Sequence, residues 1–406
     1  WSLPELLKAL HAAQLTLSLQ GGELHVRAPK RALSPELQTG IRDLREALLT
    51  HLIQTEKKLK FSLFFFGKAN YAEAQGYESL IQIAKQADQW GFEGIWTPER
   101  HFDPLGGFFS SPAVLAAALA RETKQLKLRA GSVVMPLHNP IRVAEDWAVV
   151  DQLSGGRVEL SFATGWHSHD FALAPDHYAD RHIRMYEDIQ VVRALWRGES
   201  IQQREGSGSM IAIGTHPRPR QAELPVWITA IGNPESYQRI GSAGAHLLTC
   251  LLDQEVEELS EKLALYRHAL ADAGHDPTQF QVCVFLHTFM GRDLETVRNT
   301  VSAPFKDYLR SSLHLLGKLS QSAGLELNPD AFSEEDTDTL LAFAFERYFS
   351  RRALMGTPAS VKPLLDQLCA AGVNEIACLI DFGPSPEAIL GSLGVLSEMM
   401  NAEHRV

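Results

Sequence analysis

Residues that could transfer protons or bind charged groups are concentrated in four short segments of this 406-residue chain. The segments are residues 97–102 (TPERHF), 135–140 (MPLHNP), 163–171 (ATGWHSHDF) and 230–236 (AIGNPES). Six of the 16 histidines fall between residues 101 and 182. An imidazole can act as a general acid or base near neutral pH, so these segments are candidates for proton transfer.

The His-x-His pair at His167 and His169 suggests metal-dependent hydrolysis as a different chemistry, because such a pair could bind zinc. No acid or cysteine is spaced beside the pair in a recognisable zinc pattern. We therefore predict no metal site. Ordinary polar histidines in surface loops are the structural alternative for this pair.

Alternating strand-like and helical patterns must position these segments. Eight apolar runs are strand candidates: Phe61–Phe66, Gly94–Pro98, Leu126–Met135, Val158–Thr164, Val226–Ile231, His246–Leu252, Phe280–Phe289 and Glu375–Phe382. Strands that are apolar on both faces and alternate with helices indicate a parallel sheet covered by helices. Eight such units predict an α/β fold of the (β/α)8 TIM barrel type, with insertions at about 198–224 and 300–355.

The four segments each follow one of these predicted strands. Active sites of (β/α)8 barrels lie at the carboxyl ends of the strands, so a barrel would bring the segments together. A doubly wound sheet is the alternative fold. It has less support, because no Gly-x-Gly-x-x-Gly follows the first strand.

Residues 1–60 differ from the rest in charge, with nine Lys and Arg against six Asp and Glu. Leucines at helical spacing, an alternating run from Leu15 to Val26 around Gly21-Gly22, and a helix start at Ser34-Pro35 predict an αββα unit. We place this domain at residues 1–53, a linker at 54–60 and the barrel at 61–400.

The first unit resembles the N-terminal docking domains of nonribosomal peptide synthetases, of the tubulysin type. The resemblance covers roughly residues 2–53 and includes 27–30 (RAPK), 33–37 (LSPEL) and 46–49 (EALL). It implies that the edge of the hairpin captures the C-terminal peptide of an upstream synthetase by strand addition. The local positive charge would suit an acidic peptide.

The overall composition disfavours several partners. A net charge of -11 argues against sequence-independent binding to nucleic acid and against docking on anionic lipid. No stretch approaches 18 uninterrupted apolar residues, so we predict no membrane span. Four cysteines in apolar runs and a start that is unlike a signal peptide lead us to expect a cytoplasmic location. Since Trp1 opens the chain, we expect a longer precursor.

The barrel region resembles the bacterial-luciferase-like monooxygenases, which use reduced FMN. The resemblance covers nearly all of residues 61–400 and thins across 300–355. Four motifs carry it: 96–102 (WTPERHF), 131–146 (GSVVMPLHNPIRVAED), 151–157 (DQLSGGR) and 165–171 (GWHSHDF). It is similar above all to the subgroup embedded in peptide and polyketide synthetases, for which an adjoining docking domain is expected.

The resemblance implies that FMN lies across the carboxyl face of the barrel. Its ring would rest on the third strand, where the family has a cis peptide that aligns with Gly131-Ser132. The helix start after the fifth strand predicts a phosphate site, and Arg181 occupies the family's position for a phosphate-binding arginine. The cofactor-binding candidates are Gly131, Ser132, Thr164, Gly165, Asp170, Arg181, Ala230, Gly232, Asn233 and Ser236.

Two departures from the family leave alternatives open. Some luciferases have a phosphate-binding arginine where Thr164 stands, so the threonine either weakens FMN binding or substitutes through its hydroxyl. A histidine that follows the motif glutamate in luciferases is Arg100 here, with His101 next. Arginine cannot release its proton, so we favour His101 as the catalytic group, with Arg100 and His138 as further candidates.

The function expected is an FMN-dependent monooxygenase that uses O2 to oxygenate an acyl or aminoacyl chain tethered to a carrier protein. No nicotinamide fingerprint is present, so a separate flavin reductase would supply reduced FMN. A homodimer is compatible with this interpretation. The alternatives are a deazaflavin-dependent oxidoreductase on the same fold and a non-catalytic docking scaffold.

Deleting residues 1–53 should leave the barrel folded and able to bind flavin, because its strand–helix repeat begins only at Phe61. Binding of the upstream C-terminal peptide should vanish, as measured by calorimetric titration into the intact and truncated chains. In the intact chain, charge reversal at Arg27 and Lys30 should weaken binding more than alanine does, and added salt should weaken it too. Equal binding by the intact and truncated chains would make the domain purely structural.

Overall fold

The structure is a computed structural model that describes residues 1–13, 15–20, 23–27, 33–49, 59–67, 76–103, 106–252, 254–322 and 333–402. The chain divides into two compact units, Trp1–Leu59 and Lys60–Val406. Within the described ranges, no helix is both long and apolar enough to cross a bilayer.

The first unit consists of two helices and a hairpin: α1 (Leu3–Ala12), β1 (Thr16–Gln20), β2 (Glu23–Arg27) and α2 (Pro35–Asp43). The strands are antiparallel, and Leu17 pairs with Val26. The side chain of Ser34 caps α2 by accepting from the Leu37 amide at 3.2 Å. The expected turn at Gly21-Gly22, the basic residues Lys30 and Arg31, and residues 54–58 of the expected linker lie outside the described residues.

Eight parallel strands form the second unit's closed barrel, which confirms the predicted fold. In spatial order they are β3 (Lys60–Phe64), β4 (Gly94–Thr97), β5 (Lys127–Val134), β6 (Val158–Ala163), β9 (Val226–Thr229), β10 (His246–Cys250), β11 (Val282–Met290) and β13 (Glu375–Leu379). Pairing of β10 with β11 closes the ring. This closure excludes the doubly wound sheet, whose sheet stays open.

Helices cover the outside of the barrel, and two insertions interrupt the strand–helix repeat. The main helices are α3 (Gly76–Trp90), α4 (Pro112–Glu122), α5 (Pro140–Ser154), α6 (Arg181–Arg197), α7 (Pro234–Ser242), α8 (Val256–Asp272), α9 (Leu294–Ser322), α10 (Glu334–Arg347), α11 (Pro358–Ala370) and α12 (Pro386–Ala402). The first insertion is the hairpin of β7 (Ile201–Arg204) and β8 (Met210–Ile213). The second contains most of α9, the whole of α10 and part of the short strand β12 (Leu354–Gly356), which pairs in parallel with the end of β11.

A buried ion network lies among the first residues of three barrel strands. The Arg129 guanidinium donates to Glu159 at 2.8 Å and to Glu375 at 2.5 Å. Its Cζ atom lies 4.6 Å from the ring centre of Trp96 and 5.3 Å from that of Trp227. Burial alone would raise the pKa of Glu159, but the charges of Arg129 and a neighbouring lysine lower it to about 2. The charges inside this end of the barrel are therefore paired.

Replacing Arg129 with Met should destabilise the barrel by about 3–5 kcal/mol, because it leaves two buried carboxylates without their cation. Ionised Glu159 stabilises the fold at pH values above its unfolded pKa, and this contribution is lost as the pH falls towards 2. The free energy of unfolding of the variant should therefore depend less on pH in the acid range than that of the wild type. Urea unfolding between pH 3 and 7 measures both effects. Lys60→Ala, which removes an exposed pair with Glu93, is the control and should cost under about 1 kcal/mol.

Candidate active site

The buried carboxylate of Glu99 organises the rim of the barrel at the end of β4. One oxygen lies 2.6 Å from Nε2 of His138 and 3.1 Å from Nε2 of His101, and the other accepts the Val134 amide at 2.7 Å. Although burial alone would raise the pKa of Glu99, the histidine hydrogen bonds hold it below its usual value. An ionised carboxylate can only accept, so each Nε2 donates a proton to it.

The contact with Glu99 also affects the pKa of His138. Burial would lower its pKa, but the hydrogen bond and charge of Glu99 outweigh burial and raise it. The structure thus brings His101 and His138, both expected at the site, onto one glutamate. This pair of imidazoles on a buried carboxylate can hold and move a proton at the rim.

Arg100 stands between Glu99 and His101 in the chain, but its side chain makes different contacts. The residue is only 4% exposed, and no nitrogen of its guanidinium has a hydrogen-bond partner in the described part of the chain. Its Cζ lies 4.7 Å from the ring centre of Trp166, and Nη2 forms a 3.6 Å ion pair with Asp103. Its stem packs on Gly106, where a Cβ would come within 2.7 Å of Cγ.

His167 and Asp170, from the segment after β6, complete this side of the rim. Both are buried, and Nδ1 of His167 lies 3.3 Å from the Asp170 carboxylate. Burial and the charge of Arg100 lower the pKa of His167. Asp170 therefore orients a neighbouring imidazole, whereas the sequence analysis gives it as a candidate for binding the cofactor. No group of three possible metal ligands occurs among the residues described.

The peptide between Gly131 and Ser132 is cis, which confirms the expectation from the sequence. A side chain at Gly131 would lie 3.1 Å from Phe64 and from Trp96, so only glycine fits without a shift. The Ser132 hydroxyl lies 3.0 Å from that of Ser161 and 2.7 Å from that of Thr229, which are 2.9 Å apart. Three hydroxyls from neighbouring strands β5, β6 and β9 thus meet inside the barrel.

Arg181 is the first residue of α6, as predicted, and points back to the end of β6. Its Nε donates to the Gly165 carbonyl at 3.2 Å, its Nη1 donates to the Tyr178 carbonyl at 2.7 Å, and its Cζ lies 4.3 Å from the Tyr178 ring centre. Gly165 has a positive φ of 77°, and a side chain there would strike Phe171. Thr164 precedes it and is half-buried.

The end of β9 carries Ala230, Gly232, Asn233 and Ser236 at the start of α7. Ala230 is buried, and Gly232 adopts a positive φ of 79°. The Asn233 side chain caps the helix by accepting from the Glu235 amide, and its carbonyl accepts from the Ser236 amide. The side-chain oxygen and the carbonyl of Asn233 therefore both accept hydrogen bonds at the start of α7. The Gly232 backbone and the Ser236 hydroxyl remain for a ligand.

The structure places a third buried carboxylate at the rim, after Glu99 and Asp170, and sequence reasoning missed it. Asp381, just past β13, accepts from the amides of Phe66 and Gly67 at 2.6–3.0 Å. Burial raises its pKa to about 7. Gly67 in turn accepts from the Gly106 amide at 3.1 Å, so Asp381 supports the loop on which the Arg100 stem rests.

Glu99 and Thr229 were also missed as site residues. Glu99 stands in the motif 96–102, and a glutamate followed directly by Arg100 and His101 was the available signal. Thr229 ends an apolar strand, where a lone threonine carries no signal in the sequence. The Gly-Thr-Pro-Ala-Ser turn at 356–360 is a helix cap in which Thr357 and Ser360 bond each other reciprocally.

Comparisons with known proteins agree with this geometry. Residues 59–375 match the Luciferase-like monooxygenase family, and residues 4–54 match the TubC N-terminal docking domain. The chain is 25% identical over 355 residues to the oxygenase component of a flavin-dependent trigonelline monooxygenase from Acinetobacter baylyi, covering 85% of this chain and 95% of that protein.

Solved structures show the same fold. A monooxygenase from Streptomyces bottropensis superposes with a TM-score of 0.67 at 23% identity, covering 85% of this chain and all of the other. The oxygenating constituent of 3,6-diketocamphane monooxygenase from Pseudomonas putida, in complex with FMN, gives 0.68 at 17% identity, covering 85% of this chain and 98% of that one.

The closed parallel barrel with its polar rim defines an enzyme of the (β/α)8 class. The chain belongs to the luciferase-like monooxygenase family and is a flavin-dependent monooxygenase, and a TubC-type docking domain precedes the barrel. The sequence resemblance to both families is therefore confirmed.

Replacing Glu99 with Gln should lower the pKa of His138, because the carboxylate that raises it is lost while burial remains. The measurement is an NMR titration of the histidine ring protons, in which His268, exposed on α8, serves as the internal control. An unchanged titration of His138 would show that Glu99 does not set its charge.

Proposed function

We propose that this enzyme binds reduced FMN and uses O2 to oxygenate an acyl or aminoacyl chain tethered to a carrier protein of a nonribosomal peptide or polyketide assembly line. The observation that carries the proposal is the joining of a TubC-type docking domain to a luciferase-like barrel in one chain. The docking domain favours a synthetase partner. The trigonelline relative is the oxygenase component of its monooxygenase, and this favours a separate reductase.

The rim offers groups that suit an FMN molecule at both of its ends. Gly131, Ser132 and the hydroxyl cluster would contact the flavin ring, because they form the polar surface at the cis peptide. Arg181, Gly232 and Ser236 would bind the phosphate, since a cation, a helix start and a hydroxyl are typical of phosphate sites. Ala230, Thr164 and Gly165 would line the groove between them, and Asn233 would shape it by capping α7.

The flavin supplies the activation of O2 when it is bound. The protein's own groups must manage protons and exclude water around it. His101 and His138 would exchange a proton next to Glu99, which keeps both Nε2 atoms protonated. Arg100 would donate hydrogen bonds without releasing its proton, and Asp170 would hold His167 in a fixed orientation.

A deazaflavin is the second candidate cofactor. The chain is 28% identical over 201 residues to an F420-dependent glucose-6-phosphate dehydrogenase from Amycolatopsis mediterranei. An F420-dependent secondary alcohol dehydrogenase superposes with a TM-score of 0.62. The trigonelline relative matches 85% of this chain and the dehydrogenase only 47%, which favours FMN. A titration with both cofactors separates the two functions.

FMN should bind in preference to FAD and F420, and reduced FMN more tightly than oxidised FMN. Equilibrium dialysis under anaerobic and aerobic conditions measures this. Arg181→Ala should weaken binding by about 1.5–3 kcal/mol, the usual contribution of a hydrogen bond to a charged group. Arg184→Ala, one turn further along α6 and paired with Asp180, is the matched control and should bind FMN as the wild type does.

The same preparation tests the need for a reductase. With NADPH alone, FMN should stay oxidised, whereas an added flavin reductase should start O2 consumption. Rapid reduction without the partner, or a preference for FAD or F420, would overturn the proposed function. Failure to bind any flavin would favour the non-catalytic scaffold.

A further inference from the structure

The guanidinium of Arg100 is a buried cation whose N–H groups have no hydrogen-bond partner within the described part of the chain. A guanidinium has five N–H donors in a fixed planar fork. All three of its nitrogens are buried and without a hydrogen-bond partner among the described residues. Leaving donors of a charged group unsatisfied costs more than the 1–3 kcal/mol typical of a neutral group. Such an arrangement is stable in a working enzyme when a ligand supplies the acceptor.

Charges around Arg100 decide what kind of acceptor fits. Its own charge is opposed by Asp103, at 3.6 Å, and by Asp170, whose charge also acts on it. The nearby His167 has a lowered pKa and is neutral at pH 7. One cation among two carboxylates leaves no positive excess, so an anionic ligand would be repelled. A neutral oxygen acceptor could use the free N–H groups without this penalty.

The surroundings of Arg100 also indicate how the acceptor would arrive. Trp166 covers one face of the guanidinium and is 40% exposed, while Phe102 is 65% exposed. Large exposed aromatic side chains at a rim are suited to contact with an apolar chain. The guanidinium therefore lies against the ring of the half-exposed Trp166, on the residue that follows Glu99 in the chain.

We propose that Arg100 anchors a neutral carbonyl oxygen of the substrate, so that the enzyme acts on a chain carrying a ketone or thioester carbonyl. This inference rests on the proposed function, because it places the carbonyl beside the group that activates O2. Arg100 is then a specificity-determining residue: it selects a carbonyl-bearing chain over the same chain without the carbonyl. It also excludes a free carboxylate, which Asp103 and Asp170 repel.

A matched set of ligands tests the anchor by direct binding. S-hexanoyl-N-acetylcysteamine has the carbonyl of a carrier-bound thioester, S-hexyl-N-acetylcysteamine lacks it, and hexanoate replaces it with an anion. Calorimetric titration of the full chain, without flavin and with oxidised FMN, should show the thioester binding at least about tenfold more tightly than the thioether, as a charge-assisted hydrogen bond implies. Hexanoate should bind more weakly than the thioester.

The variants separate the anchor from general packing. Arg100→Met keeps the length of the side chain but removes its donors, and should make thioester and thioether bind equally. Arg100→Lys keeps a single donor group and should give an intermediate ratio. Arg142→Met, which alters an exposed arginine on α5 paired with Glu145 and Asp146, should retain the wild-type ratio. Thermal unfolding verifies that each variant is folded.

Several outcomes would overturn the inference. Equal binding of thioester and thioether by the wild type, or an unchanged ratio in a folded Arg100→Met variant, would show that the donors are satisfied by water. Tightest binding of hexanoate would identify an anion site instead. These results are independent of turnover: loss of FMN binding or of O2 consumption would contradict the proposed function, whereas the ligand ratios report on Arg100 alone.

Discussion

Closure of the parallel barrel is the constraint on which the rest of the catalytic unit depends. The ring closes through β10 and β11, so every strand runs in the same direction and all carboxyl ends meet at one rim. Segments that are far apart in the chain are thereby brought within hydrogen-bond distance, as Glu99 and His138 are. An open sheet would leave its two edge strands apart, and the rim would not enclose a site.

Two buried arginines, one near each end of the barrel, differ in their hydrogen bonding. Near the strand starts, Arg129 is paired with Glu159 and Glu375 and lies against two tryptophans, so its charge is satisfied by the protein itself. At the rim, Arg100 is equally buried but has no hydrogen-bond acceptor among the described residues. The first arrangement serves stability. The second costs stability, and this cost is expected where a ligand completes the site.

The two domain types give complementary information about function. The family of the barrel establishes flavin-dependent oxygenation but leaves the substrate open, because its relatives act on different molecules. The docking domain does not indicate which reaction is catalysed, but it favours delivery of the substrate by a synthetase. The proposed role of Arg100 connects the two domains, because a chain delivered on a carrier would be held through a thioester, whose carbonyl would accept from the guanidinium.

The sequence by itself determined the eight strands, the covering helices and both insertions, and the family resemblance of its motifs implied the cis peptide at Gly131-Ser132. These features depend on local periodicity, turn residues and contiguous motifs. Only the tertiary structure decided that Glu99 joins His101 to His138, that Thr229 completes a cluster of hydroxyls, and that Asp381 supports the loop beneath Arg100. These contacts join different strands, up to about 315 positions apart for Asp381 and Phe66, and no local pattern encodes them. Whether a buried group such as Arg100 is satisfied depends on every neighbour that the fold brings to it, and a sequence pattern does not contain those neighbours.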